Sequence, residues 1–151
     1  MLRTAGPDDR AEIEAIVEAA YSPYVERIGK PPGPMLDNYA KLIEADAVSV
    51  LDDPDGTIAA IIVLLPKRDH LLLDNIAVRP DRQGRGLGRR LIAFAESEAR
   101  RLGQPELRLY THEKMTENIA LYTRVGFRET GRGHEAGYDR VYMAKGLDSA
   151  S

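Results

Sequence analysis

Cysteine is absent from all 151 residues. That excludes disulfides, zinc held by thiolates, and any mechanism in which a cysteine carries the group being transferred. It is also compatible with a reducing compartment. Long apolar runs are lacking too: the longest, Ile58 to Leu65, falls far short of the roughly twenty residues a membrane helix needs. The opening residues do not read as a signal peptide, so the expected setting is the cytoplasm, with no membrane partner. Nor does charge of one sign dominate. Lys and Arg number 21 against 24 Asp and Glu, a net charge of -3, which disfavours polyanionic partners and gives no expectation of nucleic-acid binding.

What is present suits one compact domain. A hydrophobic content of 43% in a chain this short supports one core, expected over residues 1–147, with 148–151 as a frayed tail. After a short strand at Leu2 to Ala5, Pro7, Asp8 and Asp9 form a helix start. Ile13, Ile16, Val17, Ala20 and Tyr21 then recur at helical spacing. Gly29 to Pro34 forbids regular structure, and a second helix is expected from Leu36 to Glu44. Ala47 to Leu51 and Thr57 to Leu65 read as a hairpin around the turn Asp52 to Gly56. Leu71 to Val78 gives a fourth strand. Leu87, Leu91, Phe94, Ala95, Ala99 and Leu102 define one face of a long helix stopped by Gly103. Glu106 to Tyr110 is a fifth strand, Glu117 to Val125 a short helix, and Phe127 to Gly131 with Tyr138 to Ala144 a last hairpin. This order predicts a mixed α/β sheet flanked by helices.

The segment that carries chemistry runs from Val78 through Arg79-Pro80-Asp81-Arg82-Gln83-Gly84-Arg85-Gly86-Leu87-Gly88-Arg89-Arg90. Glycines 84, 86 and 88 let backbone approach a ligand, and the free N–H groups of a first helical turn point at it with the helix dipole behind them. Such a turn suits a pyrophosphate, and Arg79, Arg82, Arg85, Arg89 and Arg90 add positive charge. Two rival phosphate motifs fail. A P-loop needs Gly-Lys-Ser/Thr, whereas Arg89 and Arg90 follow Gly88; a dinucleotide fingerprint needs a small sixth residue, where this chain has Arg89 or Leu91.

Gln83-Gly84-Arg85-Gly86-Leu87-Gly88 resembles the Gln/Arg-x-x-Gly-x-Gly/Ala motif of the GNAT superfamily of N-acetyltransferases. Ile76-Ala77-Val78 precedes it like that family's fourth strand, and Asn118-Ile119-Ala120-Leu121-Tyr122 with Gly126-Phe127 is similar to its later Leu-Tyr…Gly-Phe element. The resemblance covers roughly Leu71 to Arg132. It implies a central, mostly antiparallel sheet with splayed middle strands. It also implies acetyl-CoA as co-substrate, with pantetheine along Ile76 to Val78 and the diphosphate on the amides of Gly84 to Arg89.

The implied reaction moves an acetyl group directly to a primary amine of a small molecule or protein, with no metal and with a homodimer as one allowed assembly. Tyr122 is the implied proton donor to the coenzyme sulfur; a packed aromatic is the alternative. Asn118, four residues earlier on the same helical face, is a candidate coenzyme contact, while Met115 stands where many members carry asparagine. Asp74 on the fourth strand, and His112 and Glu113 after the fifth, are the candidate general bases; a relayed water is another. A main-chain N–H around Ala77 or Val78 is the implied oxyanion donor. Tyr21, Tyr24, Tyr39, the loop Lys30 to Pro34 and Tyr138 to Arg140 either line the acceptor pocket or, for Tyr21 and Tyr24, extend the apolar stripe of the first helix. The competing readings are a non-catalytic acetyl-CoA-binding regulatory module and a nucleotide-binding domain.

Overall fold

A computed structural model describes residues 1–147; the expected frayed tail, 148–151, lies outside the described residues. Contacts gather the chain into two compact units, Met1–Leu64 with Asp74–Ile92, and Leu65–Leu73 with the residues from Ala93 onward.

In the first unit, β1 (Leu2–Thr4) pairs antiparallel with β2 (Val48–Asp52), and β2 with β3 (Ile58–Pro66). Ile58 to Val63 are buried on both faces, as a β-branched run in a central strand requires. The reversal between β2 and β3 closes when the Asp53 amide donates to the Thr57 carbonyl at 2.7 Å, with Gly56 at φ 89. α1 (Arg10–Tyr21) buries Ile13, Ile16, Val17 and Tyr21, the stripe anticipated from spacing. Fully burying one such isoleucine contributes about 1.5–3 kcal/mol.

The next stretch departs from expectation. α2 (Pro23–Ile28) adds a helix too short for periodicity to register, started by proline and ended by Gly29 at φ 93. The proline-rich stretch, expected to be irregular, contains a 3-10 turn at Gly33–Leu36. Asp37, extended at φ -67 and ψ 149, then breaks the helix expected from Leu36. α3 (Tyr39–Glu44) starts afterwards, because the Asn38 side chain accepts from the Lys41 amide at 3.2 Å.

β4 (Leu71–Val78) begins in the second unit and ends in the first. Its start pairs in parallel with β5 (Glu106–His112) at Leu71↔Leu107 and Leu72↔Arg108. α4 (Leu87–Arg101) buries Leu91, Ile92, Ala95 and Ala99 on one face. Leu102, expected on that face, follows the helix end and is 41% exposed, in the turn that Gly103 at φ 72 completes.

α5 (Thr116–Arg124) ends on Gly126 at φ 105. β6 (Arg128–Glu135) and β7 (Tyr138–Gly146) form the last hairpin, and β7 also pairs antiparallel with β5. β6 runs past the expected end at Gly131. Gly131 and Gly133 are strand residues, and the reversal needs only Ala136 and Gly137, at φ 53 and 85. The strand order is β1-β2-β3-β4-β5-β7-β6, a mixed sheet accompanied by helices.

Candidate active site

The glycine-rich turn follows β4 and a 3-10 turn at Pro80–Arg82. Gly84 and Gly86 sit at φ 80 and 78, the left-handed region, where an L side chain costs roughly 1–2 kcal/mol. A Cβ built on either glycine meets nothing within 4 Å, so the requirement there is conformational and the space in front is open. Arg90 is the first residue of this turn whose amide reaches a carbonyl, that of Gly86 at 3.1 Å. Among the described residues, the amides of Gly84 to Arg89 meet no acceptor from the protein. Leu87 and Gly88 open the helix, so these donors carry its positive end.

Two of the five arginines do not serve the turn as expected. Arg79 donates to Asp81 at 2.9 Å, to the Thr57 hydroxyl at 3.0 Å and to the Ile58 carbonyl at 3.2 Å. Arg82 donates to Asp53 at 2.8 Å and to Asp81 at 3.1 Å. Both are braces, matched by two carboxylates. Arg85, Arg89 and Arg90 are exposed, and among the described residues no carboxylate pairs with them.

Along β4 the Arg79 amide donates to Ala59 of β3 at 2.9 Å. By strand alternation Ala77 points its polar groups the same way, and Ile76 and Val78 point theirs to the other edge. Two carbonyls on that edge already accept hydrogen bonds: Ile76 from the Tyr21 hydroxyl at 2.8 Å, and Val78 from the Gln83 side-chain amide at 3.3 Å. Gln83 therefore folds back onto the strand end. Tyr21 is buried, and its hydroxyl also lies 3.4 Å from Asn75 Oδ1.

Asn75 donates to the Tyr39 hydroxyl at 2.9 Å, and Tyr39 donates to the Pro34 carbonyl at 2.6 Å. Tyr21 and Tyr39 thus tie α1, the proline-rich loop and β4 together through buried polar bonds. Tyr24, by contrast, is half-exposed beside Arg27, 4.9 Å from its ring centroid.

This network flanks a residue that sequence reasoning missed. Burial pushes the Asp37 carboxyl up to about 7, aided by a hydrogen bond and like-charge repulsion with Asp74. The same burial, with the negative charge of Asp37 next in weight, raises the Tyr39 phenol. Asp74 was a candidate; its partner was not, since an Asp ahead of a helix cap reads as an ordinary turn residue. Nothing in the linear order reports their pairing.

The remaining candidates lie in the second unit. Tyr122 is 6% exposed, its ring set edge-on to Phe127 with centroids 5.6 Å apart. Burial raises its phenol well above the usual range, so it stays protonated at neutral pH. Among the described residues no sealed side-chain oxygen lacks a partner, and none bonds to this hydroxyl, so that oxygen is not closed into the core. Asn118 is half-exposed in the first turn of α5, its amide donating to Met115 at 3.1 Å. Met115 is buried and occupies the cap position of that helix.

His112 closes β5 instead of following it, and it is buried. Its Nδ1 accepts from the Lys114 amide at 3.1 Å, so in the neutral ring the proton sits on Nε2 and the lone pair is taken. Glu113 is half-exposed and lies 3.7 Å from Arg132. In the last hairpin, Arg140 stacks 4.1 Å over Tyr110 and pairs with Glu135 at 3.1 Å, and Tyr138 lies edge-on to His112. Among the described residues no group of three or more His, Asp or Glu could hold a metal ion, and no helix is long and apolar enough to cross a membrane.

Residues 13–127 match the model of the acetyltransferase (GNAT) family. A [ribosomal protein bS18]-alanine N-acetyltransferase of Salmonella typhimurium strain LT2 is 36% identical over 99 residues, 60% of this chain and 65% of that protein. The counterpart in Escherichia coli K12 is 37% identical over 75 residues, 50% of this chain and 51% of the relative. The matched stretch therefore spans between half and just under two thirds of these curated relatives. Among solved structures, the Thermoplasma acidophilum PaiA N-acetyltransferase in complex with coenzyme A has a TM-score of 0.79 at 17% identity, covering 97% of this chain and 98% of that one. A likeness at that identity shows the fold. The family match covers well over half of the chain and spans the glycine-rich turn, Asp74 and Tyr122: this chain belongs to the GNAT acetyltransferase family.

Proposed function

We propose that this chain is an acetyl-CoA-dependent N-acetyltransferase that moves an acetyl group directly onto a primary amine. One observation carries the reading: the amides of Gly84 to Arg89 have no protein acceptor at the positive end of α4, in a member of this family. A diphosphate fits that donor set, with open space before Gly84 and Gly86 and with Arg85, Arg89 and Arg90 at hand. Val78, which points away from β3, offers the N–H for pantetheine and the developing oxyanion; Ala77 points toward β3. Ile76 supplies the strand edge, and Asn118 is a further proposed coenzyme contact. Residues 1–147 are read as one catalytic domain, working in the cytoplasm.

The acceptor arrives as an ammonium and must lose a proton before its nitrogen attacks the thioester carbon. We assign that proton to Asp74, backed by Asp37. With the neighbouring Asp37 carboxyl pushed up to about 7, an α-amine, whose pKa of about 7.7–8.0 lies well below the value of about 10.4 for lysine, is the ammonium this site suits. His112, whose lone pair is engaged, and Glu113, near Arg132, are less suited to the task. As the carbon–sulfur bond of the tetrahedral intermediate breaks, the departing thiolate takes the Tyr122 hydroxyl proton. The amide nitrogen sheds its second proton, and the phenol is restored. The products are the acetamide, coenzyme A and one proton.

The bS18-alanine acetyltransferases among its relatives make a peptide beginning with alanine the first acceptor to try. The test is thiol release from acetyl-CoA across short peptides, polyamines and lysine derivatives, run beside Tyr122→Phe. Turnover with at least one amine, lost in the variant, is expected. Binding of acetyl-CoA without thiol release from any amine would favour the regulatory module instead.

A further inference from the structure

The braces beneath the glycine-rich turn converge on one carboxylate outside the family motif. Asp53 belongs to the turn between β2 and β3 and is mostly buried, with 16% of its side chain exposed. Its Oδ2 accepts from Arg82 Nε at 2.8 Å and lies 3.7 Å from Arg79 Nη2. Its backbone is pinned independently: the amide donates to Thr57 at 2.7 Å, and the carbonyl accepts from Gly56 at 3.0 Å. Arg79 is fixed to the same hairpin through the Thr57 hydroxyl and the Ile58 carbonyl. Arg79 and Arg82 bracket the 3-10 turn that launches the loop, closed by the Arg82 amide on the Arg79 carbonyl at 2.8 Å.

We propose that Asp53 is a positioning residue for the coenzyme loop, anchoring Arg79 and Arg82 to the β2–β3 turn so that the amides of Gly84 to Arg89 converge on the diphosphate. A charge-assisted bond between partly buried groups is the stronger kind and holds geometry as well as energy. The clamp also divides the arginines by task. Asp53 and Asp81 neutralise Arg79 and Arg82, leaving Arg85, Arg89 and Arg90 for the ligand's phosphates. Without Asp53, Arg82 keeps only its neighbour Asp81, and the turn is tied to the sheet at its Arg79 end alone. The inference rests on reading the loop as the coenzyme site.

Calorimetric titration with acetyl-CoA of the wild type, D53N, R82Q and the double variant tests it. D53N should weaken the Kd about tenfold, a loss of about 1.4 kcal/mol, and leave the KM for the amine unmoved. The losses in the double variant should fall short of the sum of the two single losses, because both single changes remove the Asp53–Arg82 contact. A purely structural role would lower the melting temperature without this selective loss. Should D53N fail to fold, R82K against R82Q makes the same comparison, with R82K retaining charge but not the fork. An unchanged Kd in these variants beside a wild type that binds overturns the clamp alone. A wild type that does not bind acetyl-CoA overturns the functional reading beneath it.

Discussion

Asp37 and Asp74 give the sharpest residue-level expectations. Because Asp37 backs the proposed base, kcat/KM should rise through about pH 7, the value to which Asp37 itself is pushed, and level off above it. Asp37→Asn removes that titrating carboxyl, so the limb near pH 7 should disappear; a pH–rate profile of the two proteins checks this. The sign for stability follows from the same shift. A carboxyl whose folded pKa is raised contributes least once both states are ionised, so the wild type should lose melting temperature between about pH 4 and 7. Asp37→Asn should lose less over that interval. For Tyr122→Phe, loss of the proposed proton donor should lower kcat about 10²- to 10⁴-fold with the fold retained, because the ring still packs on Phe127. A rate within twofold of wild type would remove Tyr122 from the mechanism.

Among elements, the two glycine-bearing turns carry separable predictions. Gly86→Ala forces an L residue to φ 78, which should cost about 1–2 kcal/mol in denaturant unfolding and also weaken acetyl-CoA binding. In the β6–β7 hairpin, Ala136 already occupies the left-handed region at φ 53. Ala136→Gly should therefore gain about 0.5–1 kcal/mol without touching activity. The contrast shows what could be read from sequence. Strands and helices with strong periodicity, such as α1 and β3, were legible. The last hairpin was legible too, but not its length: the stretch after Gly131, with Gly133, reads as a connection yet lies in β6, where strand pairing overrides its weak propensity. α2 escaped notice because six residues hold too few turns for a stripe.

For the molecule as a whole, the motif singled out the loop proposed to hold the coenzyme, and the family match bears out the membership it implied. The roles within it were less legible. Sequence order could not separate Arg79 and Arg82, bound to carboxylates, from Arg85, Arg89 and Arg90, nor could it bring Asp37 to Asp74. Those assignments depend on partners distant in the chain, which only folding brings together. Acetyl-CoA at a hundredfold excess over its Kd should stabilise the fold by about 2.7 kcal/mol. A thermal melt with and without the coenzyme reads that shift, and ATP or NAD should give none.

Amide-resolved NMR during titration with coenzyme A examines the diphosphate site most directly. The resonances of Gly84, Gly86 and Gly88 should move first and saturate together with the affinity measured by calorimetry. If those amides stay still while the coenzyme is added to saturation, the loop is not its binding site and the proposed enzyme loses its foundation.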